Sequence, residues 1–383
     1  MRHLEPPFTA PVQTQSATPK SNELCGYGPV PVIDGIPQIP PIESTAEATL
    51  ASLATDLAAR STERERALGL YLRMIAASEA AATAWRRGNG ECADSDTACQ
   101  SAAAQAIRAA TAESRGALAR LATTTSNANA YALALYSCRW ETAVSDCALL
   151  SYSQWARIEP DNAVPWLYVA GDAAQRRDRG SLEAALNRAS KARYSDPHWD
   201  EISRFLASDA LGAQPPPVQF QLAIELLGIQ AAFPLPDFPV LHEYCSTASQ
   251  DPSRVQTCDD LAAVLIEHGR SHIEVLIGGK IVEWVGATDP RLSALRDEAD
   301  AIGWQWSQMV RSAQDRTQDD VLLSCDSLRR LRRNTAARLQ FGEAGYLRRE
   351  LAASGVTIAQ AAQRRRAERQ ALLRQAENLK PAQ

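Results

Sequence analysis

Beyond residue 44 the apolar positions of this chain recur three and four residues apart, and alternating strand-like stretches are scarce. That period predicts helices, and several carry their own start signals. Thr62-x-x-Glu65 is a capping-box pattern opening a helix whose apolar face runs through Leu68, Leu70, Tyr71, Met74 and Ile75. Ser271-x-x-Glu274 opens another through Ile273, Leu276, Ile277, Ile281, Trp284 and Val285. Gly278-Gly279 within it also fits a hairpin turn between two β-branched runs, but the 3.6-residue period and the cap favour helix. Thr357-x-x-Gln360 caps a last helix just after a stop at Gly355. Asp196-Pro197, Asp251-Pro252 and Asp289-Pro290 each set an N-cap acceptor before a proline at the first helical position.

The N-terminal region breaks the pattern. Residues 1–42 hold nine of the 21 prolines, which predicts a Pro-rich extended tail, with Leu24–Val30 as one apolar patch able to dock on the body. The rest divides into a helical repeat region over 43–213, a second helical region over 214–313, and a basic, Arg-rich helical region over 314–383.

Residues 128–197 carry the strongest organisational signal. Trp155-Ala156-Arg157-Ile158-Glu159-Pro160-Asp161-Asn162 leads into Val164-Pro165-Trp166-Leu167, Ala170 and Ala173, and a second apolar stripe follows through Leu182, Ala185, Leu186 and Ala189. This stretch resembles a tetratricopeptide repeat (TPR). Pro160 and Pro197 are 37 apart against about 34 in that family, and its Gly-x-x-Tyr reads here as Ala170-Gly171-Asp172-Ala173. The resemblance implies antiparallel helix pairs stacked in a right-handed superhelix or an irregular α-solenoid, with a concave protein-binding surface. No binding residue carries over from it. The layout of Glu23-Leu24-Cys25-Gly26, Arg64-x-Arg66-Ala67-Leu68-Gly69-Leu70 and the later cysteine pairs also resembles exported proteins of GC-rich proteobacteria.

Six of the eight cysteines fall in close pairs: Cys92/Cys99, Cys138/Cys147 and Cys245/Cys258. A disulfide needs Cα atoms within about 7 Å, whereas residues nine apart in one helix are separated by roughly 13 Å. Each bridge must therefore straddle a turn, and the intervening residues supply one. The alternative is buried free thiols. The pairing of Cys25 and Cys325 stays open.

Composition adds compartment and partner constraints. The chain has 68 alanines and 6% aromatics, which supports an all-α protein. A net charge of −5 disfavours a generic nucleic-acid binder. Residues 311–383 nonetheless carry 15 basic against 8 acidic residues, leaving the remainder acidic. No stretch reaches the roughly 18 apolar residues of a membrane span. The first residues, Met1-Arg2-His3-Leu4-Glu5-Pro6-Pro7, lack the apolar core of an export signal. Disulfides and this start point in opposite directions: a periplasmic or otherwise exported protein whose signal lies elsewhere, or a cytoplasmic one with reduced thiols.

Candidate chemistry is thin. His268 and His272 are four apart but separated by Gly269 and Ser271, which reads as a helix junction more readily than a metal site. His242-Glu243-Tyr244-Cys245 lacks a second histidine. Asp259-Asp260 and Asp319-Asp320 read as helix-start carboxylates. No catalytic, cofactor-binding or metal residue is assigned. Of eight tryptophans, at 85, 140, 155, 166, 199, 284, 304 and 306, the pair Trp304/Trp306 is a candidate contact site, one of the two expected at the surface. Arg329, Arg330, Arg332, Arg333, Arg364, Arg365 and Arg366 are the other partner-contact candidates, for anionic lipid, acidic protein or nucleic acid in that order; a solvated face balanced by Glu350, Glu368 and Glu377 is the alternative. The expectation is a non-enzymatic protein-binding or scaffolding component of the bacterial cell envelope. A hydrolase with an unrecognised site and a secreted effector are the alternatives.

Overall fold

Helix propensity and 3.6-residue periodicity carry through to the architecture: helices form nearly all the regular structure in the computed structural model of this chain. It describes residues 21–33, 36–37, 43–139, 145–236, 238–248, 251–286, 289–319 and 324–378. Residues 1–20, Trp140 and Asp320 lie outside these.

The helices are α1 Glu43–Ala58, α2 Glu63–Asn89, α3 Thr97–Thr124, α4 Ala128–Cys138, α5 Tyr152–Ile158, α6 Ala163–Gln175, α7 Arg179–Ala189 and α8 Asp200–Leu206. They continue as α9 Asp209–Gly212, α10 Pro216–Ala231, α11 Phe238–Ser246, α12 Pro252–Glu267, α13 His272–Val285, α14 Pro290–Asp319, α15 Cys325–Ala353 and α16 Ile358–Asn378. Chain neighbours pack together: α1 on α2, α2 on α3, α6 on α7, α12 on α13 and α13 on α14. Long-range packing sets α15 beside α8 and α16 on α14.

Two apolar cores result. The first gathers buried residues of α1–α4, α8 and α10, including Leu50, Leu72, Leu118, Leu133, Ile202 and Leu222. The second joins α7 and α11–α15 through Leu186, Cys245, Leu265, Val275, Ile302 and Leu347. Helix α6 is their shared wall. Val164 and Tyr168 face the first core, whereas Ala163, Leu167 and Ala170 face the second. Trp155 is fully buried beside it, edge-on to Tyr136 and tilted against Tyr168.

The caps follow the sequence in most places. Thr62 Oγ1 accepts from Glu65 N at 3.2 Å, Asp251 accepts from the backbone of Ser253 and Arg254, and Asp289 Oδ1 accepts from Arg291 N. Ser271 and Glu274 form a reciprocal box, as do Thr357 and Gln360. Gly278 and Gly279 sit within α13, so this segment is helix.

Three expectations are corrected. Asp196 caps no helix: α8 starts at Asp200 after Trp199, and Asp196 Oδ1 instead accepts from His198 N at 2.8 Å. His198 there has φ 56°, a left-handed conformation incompatible with a first helical turn. Asp259 and Asp260 lie inside α12, because that helix already starts at Pro252. Asp319 ends α14 rather than starting a helix.

Ser21–Leu24, Gly28–Ile33 and Ile36–Pro37 form strands where proline content predicted an extended tail. β1 (Ser21–Leu24) pairs antiparallel with β2 (Gly28–Ile33), which pairs with β3 (Ile36–Pro37). The turn between β1 and β2 rests on Gly26, at φ 82°, where an added Cβ would lie 2.6 Å from Pro217 Cδ. Buried Cys25 packs with Phe220 and Leu328 and is disulfide-bonded to Cys325. The hairpin is thus tied covalently to the start of α15.

All eight cysteines are bridged. Cys92–Cys99 closes the α2–α3 turn, Cys138–Cys147 joins the end of α4 to the 3-10 turn Ser145–Leu149, and Cys245–Cys258 clamps α11 to α12. Their Cα separations, 5.4 to 5.8 Å, are those of helix ends meeting across a turn.

Candidate functional site

Where the Trp155–Pro197 segment meets α8, α13 and α15, apolar packing gives way to a buried charge cluster. Its first centre is Glu159, just beyond α5. Glu159 accepts from Trp155 Nε1 (3.1 Å), Asn162 Nδ2 (3.0 Å) and Tyr194 Oη (2.9 Å), and pairs with His198 Nε2 at 2.8 Å. Burial alone would raise this carboxyl, but the His198, Asn162 and Tyr194 bonds hold it below its usual range. Burial likewise works against a charged His198, yet the Glu159 bond and the charge of Asp196 win and raise it.

The second centre is Arg270, between α12 and α13. Its Nη2 donates to Asp200 Oδ2 at 2.9 Å, and its Nε stands 3.1 Å from Asp196 Oδ2 as an ion pair lacking hydrogen-bond alignment. Its backbone N donates to Ser195 O, and its carbonyl accepts from Ala344 N. Chain segments far apart in sequence therefore converge on one residue. Desolvation still raises Asp200 despite this partner.

A third centre is Glu343 on α15, which takes His272 Nδ1 at 2.5 Å and His272 N at 3.2 Å, with Arg338 at 3.7 Å. The His272 hydrogen bonds and the Arg338 charge hold its carboxyl low against the pull of burial. Glu274, fully enclosed in α13, accepts from Ser195 Oγ and from Ser271 N, and burial pushes its pKa up to about 7. On the far side, Arg64 of α2 clasps buried Glu201 of α8.

These groups border a cleft of about 50 Å³ lined by Asp196, Trp199, Asp200, Arg270, Arg338 and Glu343. Its carboxylates already face arginine or histidine. Space for one or two waters is also too little for a substrate.

A larger groove, about 430 Å³, lies between the α6–α7 turn, α7, α11 and the start of α12. Leu182, Val240 and Tyr244 supply its apolar part. Arg177, Arg179 and Arg254 alternate around it with Asp178, Glu183 and Glu243. Arg254 is fixed over the Tyr244 ring, 4.3 Å from its centroid, and donates to Tyr244 O at 2.6 Å. The Cys245–Cys258 bridge holds the two helices that carry these residues.

The contact residues singled out in the sequence are scattered. Trp304 is buried with Ala301, Leu351 and Ala361, beneath Arg364 at 5.2 Å. Trp306 stacks on His272 at 4.8 Å. Arg365 donates to Ser307 Oγ, and Arg366 to Asp297 and Asp300, so these two brace α16 on α14. On α15, Arg329 pairs with Asp326, Arg330 donates to Ser327 Oγ, Arg332 lies over Gly212, and Arg333 is exposed. His242 meets Trp284 edge-on, and His268 ends α12 while His272 starts α13. The charge cluster was missed because its members pair across separations as wide as 137 residues. The one visible trace was polar residues in the Glu159–Asn162 and Ser195–His198 turns.

No helix among the described residues is long and apolar enough to cross a membrane. Compared with known proteins, the chain matches no family model, no curated protein and no solved structure.

Proposed function

We propose that this chain is a non-enzymatic helical scaffold that binds another protein in an oxidising, exported compartment of the bacterial cell envelope. Under this reading the helix pairs stack as a TPR-like solenoid, and a peptide segment of the partner lies in the groove between α7 and α11. The observation that carries it is the groove itself: an apolar strip rimmed by both signs of charge and held by a disulfide. Such a surface suits a peptide with an apolar anchor and flanking charges better than a small metabolite. Four bridges with no leftover thiol support the oxidising compartment.

The hydrolase reading has less support. Its best setting, the Asp196–Asp200–Glu343 cleft, is small and its carboxylates are already paired.

The test is photo-crosslinking from the intact, oxidised chain in envelope extract. A crosslinker at Thr247, in the groove, is expected to give a discrete protein adduct, and one at exposed Leu149 none. No adduct at Thr247, or equal adducts at both positions, would overturn the reading.

A further inference from the structure

Four cationic side chains from three helices converge on a pocket of about 150 Å³: Lys280 of α13, Arg296 of α14, and Arg365 and Arg369 of α16. Only two carboxylates, Glu283 and Asp300, line it with them. Glu283 serves three cations at once. Lys280 Nζ reaches it at 2.7 Å, whereas Arg296 and Arg369 stand off at 3.8 and 3.7 Å. Asp300 is engaged by Arg366 at 3.1 Å and lies 3.7 Å from Arg369. Among the described residues neither Arg296 nor Arg369 donates a hydrogen bond, so two guanidinium forks border the pocket with an excess of positive charge around them. Forked donors in such surroundings match the oxygens of a phosphate group.

The same helix then changes character. Positions 365, 369 and 373 lie four apart on one face of α16, and Leu372 and Leu373 are each 63% exposed. Arg374 follows them. A soluble anion would use the cationic pocket and leave this neighbouring apolar pair without a role. An amphiphile uses both.

We propose that the pocket binds the phosphate headgroup of an anionic phospholipid, with Leu372 and Leu373 entering the adjoining acyl boundary of the bilayer surface. The chain would lie on the membrane through this end of α16 and not span it. The pocket shares no lining residue with the α7–α11 groove, so this inference stands independently of the peptide-binding reading.

Co-sedimentation of the full, oxidised chain with phosphatidylcholine vesicles, with and without phosphatidylglycerol, tests it. Binding is expected only with phosphatidylglycerol. Arg296→Gln combined with Arg369→Gln should weaken it roughly tenfold to thirtyfold. Leu372→Ser with Leu373→Ser should also release the chain, whereas Arg329→Gln with Arg333→Gln on α15 should leave binding intact. Circular dichroism of each variant verifies folding. Absence of phosphatidylglycerol-dependent binding overturns the proposal, as does equal weakening by the α15 pair. Calorimetric titration with inorganic phosphate and with a phosphoserine peptide completes the set. Uptake of either at the pocket, without vesicle binding, would assign it to a soluble anion or a phosphoprotein and likewise overturn the lipid proposal.

Discussion

Glu274 illustrates how burial sets protonation here. Among the described residues the carboxyl has no cation within bonding reach, only Ser195 Oγ and Ser271 N, so enclosure dominates and its pKa rises to about 7. A carboxyl raised on folding binds its proton more tightly in the native state. That contribution is complete below the ordinary value of 4.5 and fades as pH climbs to about 7. Glu274→Gln is neutral throughout and keeps the oxygen for Ser271 N. The stability of the native chain relative to this variant should therefore fall between about pH 4.5 and 7. Thermal unfolding of both proteins across that range checks it, and a constant difference would refute it. His198 and Glu159 behave differently because they are partners. The histidine, raised above 6.5, contributes below that value and loses its contribution as pH rises through its folded pKa. The carboxylate, held below 4.5, contributes above that value and loses its contribution as pH falls through its folded pKa. The pair is therefore strongest between about pH 4.5 and 6.5. His198→Asn tolerates the left-handed backbone but takes the histidine from Glu159, leaving it only the Trp155, Asn162 and Tyr194 donors, and should cost about 1–3 kcal/mol inside that window. The cost should shrink in alkaline solution, as read from urea midpoints.

Helix α15 is bent at Gly342, with φ 72°, and the bend admits the Arg270 carbonyl to Ala344 N at 2.9 Å. A Cβ at 342 would meet Arg270 O at 3.0 Å in a conformation that disfavours side chains. Gly342→Ala should therefore destabilise the chain by about 1–3 kcal/mol, measurable by denaturant unfolding. A neutral result would mean the bend is not required. This element also shows what was legible beforehand. Ser271–Glu274 and Thr357–Gln360 were readable because a capping box is local, and so were the three short cysteine pairs, whose spacing demands a turn. Asp196-Pro197 has a similar local form but is overridden by contacts with Asn162 and Arg270. The bend at Gly342 was invisible, since its cause lies some 70 residues away in Arg270. The β1–β2 hairpin was hidden by prolines that ordinarily argue against strands; Pro29 and Pro31 both sit in β2.

The bridges divide by reach. Cys92–Cys99 closes seven residues at the exposed α2–α3 turn, whereas Cys25–Cys325 spans 300 and joins the hairpin to the body. In the chain-entropy account the short loop contributes roughly 2.5 kcal/mol and the long one on the order of 5 kcal/mol. Replacing Cys25 and Cys325 by serine should therefore lower the global melting temperature more than replacing Cys92 and Cys99. Calorimetry of the two double variants decides this, and an equal or reversed order would contradict it. The long bridge also bears on how the protein is made. Cys25 leaves the ribosome far ahead of its partner, with six other cysteines emerging in between. An oxidant that joined thiols strictly in order of appearance would link 25 with 92, 99 with 138, 147 with 245 and 258 with 325, and every bond would be wrong. Correct connectivity requires Cys25 to wait or to be rescued by a disulfide isomerase, so its closure comes only after 300 further residues have been made.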